Sequence, residues 1–171
     1  MSVLPIVQFP NPILSTVCTP VTEITDEIRT LASDMAQTMY EAPGVGLAAP
    51  QVGHAIRLIV LDVSENKDNL ITLINPEIIA TSDEWVCGEE GCLSLPGIWE
   101  KVDRHAQVTV KYTDLDGKSQ TVEADGLLSV CLQHEMDHLD GKVFVDHLSR
   151  LKYDRACAKL KKRRLQEKHR N

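Results

Sequence analysis

Five consecutive residues, His134-Glu135-Met136-Asp137-His138, carry the strongest chemical signal in the sequence. They continue a helix-compatible apolar stretch, Leu127-Leu128-Ser129-Val130-Cys131-Leu132-Gln133. On a helix, residues four apart share a face, so His134 and His138 can close on one metal ion with Glu135 standing beside it. A metal with an adjacent carboxylate is equipment for activating water and moving its proton. The plainer reading is two surface histidines on an ordinary helix.

Two histidines do not complete a site, and the third ligand decides its class. Zinc peptidases that extend the motif follow His-Glu-x-x-His-x-x-Gly-x-x-His. This chain keeps the pattern to Gly141, but Phe144 occupies the last histidine position, which counts against that class. Asp140, Asp146 and His147 are weaker candidates. Cys131 lies on the face of His134 but starts about 4.5 Å back along the axis, away from His138, and suits a pocket wall better than a ligand. Cys18 and Cys157 fall in peripheral segments. Cys87 and Cys92 together with the histidines would make a closed Cys2His2 structural site, whereas one cysteine with two histidines would leave a position for water, as catalysis requires.

The elements that must position these groups follow from pattern. Residues 1 to 24 are punctuated by Pro5, Pro10, Pro12 and Pro20 and read as an irregular arm. Thr25 caps a helix with Asp26 and Glu27 in its first turn and an apolar stripe of Ile28, Leu31, Ala32, Met35 and Met39, stopped at Pro43-Gly44. Gly44 to Gly53 reads as a turn whose small residues also let backbone approach a ligand, with Gln51 offering an amide donor. Ile56 to Asp62 and Leu70 to Asn75 have strand character. Glu89 to Gly97 reads as a loop with Cys92 at its centre. Gln107 to Thr113 and Ser119 to Ala124 flank Asp114-Leu115-Asp116-Gly117 as a hairpin. Asp125 is placed to cap the motif helix and Gly141 to end it. A last helix spans about Ser149 to His169, with Leu148, Leu151, Ala156, Cys157 and Leu160 as apolar positions. Short strands flanked by helices predict an α+β fold: small antiparallel or mixed sheets around a central metal-binding helix, with a C-terminal helix.

With 171 residues, 43% hydrophobic and 25% charged, the chain has the composition of a soluble globular protein able to bury a core without disulfides. No basic start followed by an apolar run marks a signal peptide, and no stretch approaches a membrane span, so a cytoplasmic location is expected. Five cysteines without a secretory signal predict reduced thiols, one of them a metal ligand. The net charge of -7 hides an asymmetry: residues 150 to 171 hold ten Lys or Arg against two acids, the preceding chain eight against twenty-three. That predicts residues 1–148 as the catalytic unit and 149–171 as a basic helix. The helix suits either plain solvation or attachment to RNA phosphates. A membrane-surface role fits poorly because the tail has no Trp or Phe to insert.

Three segments taken together, Gly44-Val45-Gly46-Leu47-Ala48-Ala49-Pro50-Gln51, Glu90-Gly91-Cys92-Leu93-Ser94 and Gln133-His134-Glu135-Met136-Asp137-His138, resemble in order and separation the signature motifs of the peptide deformylase family, in its bacterial form with a C-terminal helix. The resemblance implies hydrolytic removal of the formyl group from formylmethionyl nascent peptides. It implies a metal held by Cys92, His134 and His138, with Glu135 as general base and acid, and with Gln51 and the Leu93 N–H holding the developing oxyanion. Gly44, Gly46 and Gly91 would lie along the substrate backbone, while Val45, Leu127, Val130 and Cys131, beside His134, would surround the methionine side chain. Arg104 would pair with Glu90 to brace the cysteine loop. The family implies Fe(II), with Zn(II), Ni(II) or Co(II) as substitutes, since thiolate and imidazole ligands do not choose among them. It further implies that the basic helix docks on the ribosome near the exit tunnel, with no DNA or membrane partner. Trp99 stands where some members carry a basic residue near the substrate entrance. The rivals are a zinc endopeptidase and a zinc-stabilised interaction module without catalysis.

Overall fold

The computed structural model describes residues 2–170. Its elements run α1 (Asp26–Glu41), β1 (Gly46–Ala48), β2 (Leu58–Leu61), β3 (Ile71–Thr81), β4 (Trp85–Cys92), β5 (Leu95–His105), β6 (Gln107–Thr113), β7 (Ser119–Asp125), α2 (Gly126–Leu139) and α3 (Arg150–Arg170), with 3-10 turns at Pro12–Ser15, Ala49–Val52 and Phe144–His147. Five strands form an antiparallel sheet in the order β1-β2-β3-β6-β7, and β4 pairs with β5 as a separate hairpin. The fold is α+β, built from small antiparallel sheets around α2.

The short strand β2 explains the layering. Its four residues are all apolar and all buried. Alternation sends Ile59 and Leu61 to one face, where they meet Leu132, Met136 and Leu139 of α2, and Leu58 and Val60 to the other, against Met35 and Met39 of α1. A strand covered on both faces reads as a continuous apolar run, each fully buried side chain contributing roughly 1.5–3 kcal/mol. Thr25 caps α1 through its hydroxyl, which accepts from the Ile28 N–H at 3.3 Å.

Four expectations change. The segment around Cys92 is a β-hairpin and not a loop: β4 and β5 pair from Trp85↔His105 to Glu90↔Glu100 and again at Cys92↔Leu95. Gly88, Gly91 and a run of acids lower the local strand signal of β4, but cross-strand pairing with β5, whose Ile98, Val102 and Arg104 are buried, overrides it. The glycine-rich segment is a short strand followed by a 3-10 turn, since Gly46 to Ala48 pair with β2. Asp125 occupies the N-cap position of α2 without a side-chain capping bond. Leu151 points outward at 63% exposure, while Ala156 and Leu160 anchor α3 against Phe144, Val145 and Ile98.

The N-terminal arm is irregular yet tied down. Val7 N–H donates to the Gln51 carbonyl at 2.7 Å, Phe9 N–H to the Ser94 carbonyl at 2.8 Å, and Cys18 N–H to the Leu139 carbonyl at 2.8 Å. Its last stretch is held by Asn75, whose side chain accepts from the Val21 N–H and donates to the Val21 carbonyl, both at 2.8 Å. Asn75 adopts φ 52, beside Pro76, where the β3–β6 register shifts. Asn tolerates that left-handed conformation better than other side chains. No helix among the described residues is long and apolar enough to cross a membrane.

Asn75→Ala removes both bonds to Val21 and leaves an alanine at positive φ. The expected loss is about 2–3 kcal/mol in urea unfolding, and a change under about 0.5 kcal/mol would show that the clamp contributes nothing.

Candidate metal centre and active site

Three elements converge below a cavity of about 500 Å³. Helix α2 brings His134, Glu135 and His138, the end of β4 brings Cys92, and the 3-10 turn after β1 brings Gln51. The Cys92 Sγ and one nitrogen from each of His134 and His138 lie within 4.8 Å of one another, and this is the triad of that kind found among the described residues. Cys92 Sγ is 3.5 Å from His138 Nε2. Tetrahedral metal sites with bonds of about 2.0–2.3 Å place their donors in this range, so the geometry fits one ion held by one thiolate and two imidazoles.

The remaining ligand candidates are engaged elsewhere. Asp140 pairs with Arg57 at 3.2 Å, Asp146 accepts from the Val143 N–H at 2.9 Å, and His147 bonds to Asp137 at 2.8 Å. Cys87 is exposed on β4, outside the triad, which removes the closed Cys2His2 arrangement. Cys18 is buried near the His138 carbonyl, and Cys157 lies on α3, packed against the core beside Phe144 and Leu160. Phe144 is buried with its ring stacked 6.0 Å from His134, so the position of a third peptidase histidine is a packing platform for the first.

Orientation is enforced from behind. His134 Nδ1 donates to Glu90 Oε1 at 2.9 Å, turning Nε2 toward the cavity. Glu90 in turn receives two bonds from Arg104, Nε to Oε2 and Nη2 to Oε1, each 2.9 Å, and both side chains are buried. Burial opposes the charge of Glu90, yet the bonds from Arg104 and His134 outweigh it and hold its carboxyl at about 2. Gln51 Oε1 accepts from the Ala48 N–H at 3.0 Å. That fixes the amide so that Nε2 faces Ser94 Oγ at 3.1 Å and Cys92 Sγ at 3.5 Å.

The cavity walls contain the other expected residues. Gly44, Val45, Gly46, Gly91, Leu93, Leu127, Val130 and Cys131 all line it, as does Trp99. Leu93 occupies the turn between β4 and β5. A Cβ on Gly46 would come within 2.9 Å of both Cys131 Sγ and Glu135 Cγ, and one on Gly91 within 2.4 Å of the Trp99 ring. These are approaches only glycine permits. Glu135 is buried, and its Oε2 has no hydrogen-bond partner. Burial pushes its carboxyl up to about 7 against the charges of His134 and Arg104. Burial lowers His138, whereas at His134 burial is outweighed by the hydrogen bonds to Cys92 and Glu90, which raise it; metal binding requires both imidazoles neutral. Two features escaped the sequence: the contact of Ser94 with Gln51, and the Asp137–Arg104 pair at 2.7 Å. Neither has a spacing signal, because both join segments distant in the chain.

Residues 3–154 match the family described as polypeptide deformylase. A peptide deformylase of Acinetobacter baumannii (strain SDF) is 54% identical over 162 residues, covering 95% of this chain and 92% of that one. The crystal structure of a peptide deformylase from Legionella pneumophila superposes with a TM-score of 0.92 at 45% identity, over 97% and 98% of the two chains. That of Ehrlichia chaffeensis in complex with actinonin gives 0.92 at 41%, over 95% and 98%.

The depressed Glu90 value sets an acid limb. Its contribution, about 3 kcal/mol for a shift from 4.5 to about 2, is complete above pH 4.5 and lost as the pH falls through 2. Urea unfolding between pH 2 and 6 should show this slope, and Glu90→Gln should flatten it; an equal slope in both proteins would refute the assignment.

Proposed function

The chain belongs to the peptide deformylase family, metal-dependent hydrolases that remove the N-formyl group from new polypeptides and release formate, and from that premise we propose the residues, metal and partners with which it does so. Cys92, His134 and His138 hold the ion. When bound, the ion supplies Lewis acidity, which makes water a nucleophile near neutral pH and polarises the formyl carbonyl. The observation that carries this reading is the close approach of one thiol and two imidazoles beside the unpartnered Oε2 of Glu135.

The chain's own groups divide the remaining work. Glu135 accepts the proton of the attacking water and passes it to the nitrogen as the C–N bond breaks. Its elevated value near 7 suits a group that must do both. Gln51 Nε2 and the Leu93 N–H donate to the formyl oxygen as the carbon becomes tetrahedral, and removing one such donor costs about 2.7–4 kcal/mol of barrier. Val45, Leu127, Val130 and Cys131 enclose the methionine side chain. Gly44, Gly46 and Gly91 admit the substrate backbone; a Cβ at Gly46 or Gly91 would already crowd Cys131, Glu135 or Trp99 in the cavity wall.

Fe(II) is the proposed native ion, with Zn(II), Ni(II) or Co(II) able to take the same donors. Residues 1–148 form the catalytic unit and 149–171 the ribosome-facing segment, helical over Arg150–Arg170 among the described residues. The support for the partner is charge: Lys159, Lys161, Lys162 and Lys168 are all exposed on α3, and phosphate-rich RNA is their complement. Action on emerging chains places the enzyme in the cytoplasm.

Formate release from a short formyl-methionyl peptide tests the chemistry, using protein prepared without oxygen and loaded separately with Fe(II) or Zn(II). Glu135→Gln is expected to keep its metal and lose turnover by about a hundred- to ten-thousand-fold; retained turnover would remove Glu135 from the mechanism. For the partner, replacing Lys159, Lys161, Lys162 and Lys168 by Ala leaves the buried Ala156 and Leu160 in place. Ribosome binding should weaken with a shallower salt dependence while peptide turnover is unchanged, and equal binding at every salt concentration would refute the docking role.

A further inference from the structure

The bracing of His134 does not stop at Arg104. Arg104 commits Nε and Nη2 to Glu90, and its Nη1 donates to Asp137 Oδ2 at 2.7 Å. The same Asp137 oxygen receives a further bond at 2.8 Å, from His147 Nε2 in the 3-10 turn after α2. A carboxylate only accepts, so His147 Nε2 carries a proton there. The 3.4 Å approach of Arg104 Nη1 to that nitrogen is therefore two donors crowding one acceptor. The result is an unbroken series, His147–Asp137–Arg104–Glu90–His134, running from a half-exposed imidazole to a metal-facing one.

We propose that His147 is a positioning residue for the metal centre, acting on His134 through Asp137, Arg104 and Glu90; this rests on the reading of His134 as a ligand. One guanidinium is shared between two carboxylates. Asp137 presses its claim on Arg104 less when His147 supplies a second donor to the same oxygen. Without that donor, Asp137 relies on Arg104 alone, and the planar fork cannot turn toward Asp137 without loosening its paired bonds to Glu90. Glu90 then holds His134 Nδ1 less firmly, and Nε2 is less well aimed. Asp137 and His147 also line a second cavity of about 450 Å³, distinct from the one above the triad, with Trp85, His105 and Arg57 around them. The outer end of the series is thus open, and the His147 side chain, 38% exposed, can be replaced without disturbing the core.

The test compares His147→Phe, which has no donor, with His147→Gln, whose amide can replace the Nε2 bond. Each full-length protein is loaded with Co(II), its absorption spectrum recorded, and the rate of metal loss to a chelator measured. Partners bonded directly to a ligand typically change metal affinity 10- to 100-fold, so a residue further out should act by about three- to tenfold. H147F is expected to shift the Co(II) spectrum and release metal about three- to tenfold faster, with H147Q close to the parent. Release and spectrum unchanged in H147F overturn the proposal. So does equal impairment of both variants, since that would mark a packing role. Cys92→Ser serves as the control: if it leaves the parent spectrum unchanged, the ion is not at this site and the ligand reading itself falls.

Discussion

The buried ion pair between Arg104 and Glu90 is the constraint on which the rest of this site depends. Two charges removed from water are costly, and they are retained here with two parallel bonds between them. The pair joins the two strands of the hairpin that carries Cys92, while Glu90 also reaches His134 on α2. One carboxylate therefore sets the distance between the thiol and the first imidazole, which arise from segments more than forty residues apart. A hydrophobic substitute of equal volume could hold the hairpin to the helix, but it could not tell a histidine which nitrogen to present.

Around that pair, polarity is distributed with economy. Glu90 and Glu135 lie on either side of His134, both buried, and their environments push them in opposite directions, to about 2 and about 7. The first has fixed donors and stays ionised as a strut. The second has an unpartnered oxygen, as the proton exchange proposed for it requires. Two identical side chains thus acquire different acidities from what each is bonded to.

Much of this was legible in the residue order, and the reasons for the rest are specific. The helical spacing of His134 and His138, the Thr25 cap and the Asp116-Gly117 turn are local signals, and the structure realises each locally. The hairpin around Cys92 was not legible as strand, because its residues are strand formers only once β5 is beside them. Leu151 failed for the opposite reason: an apolar residue at plausible helical spacing faces solvent in the first turn of α3, while Ala156 and Leu160 further along carry the contact with the core. At the site, ligand types could be read from composition and spacing. The third ligand could not be chosen by spacing alone, since Asp140, Asp146 and His147 are excluded by the partners they take in space and not by their positions in the chain.

The arm that precedes α1 has a kinetic consequence. Val7 and Phe9 tie the start of the chain to Gln51 and Ser94, Cys18 binds the end of α2, and Arg164 returns from α3 to the Phe9 carbonyl, 155 residues away, at 2.8 Å. The arm is therefore held by contacts of very large sequence separation, each of which must overcome the entropy of a long loop before it contributes. During synthesis the first residues stay hydrogen-bonded to water until the hairpin and the last helices have emerged, so these ties are the last to close.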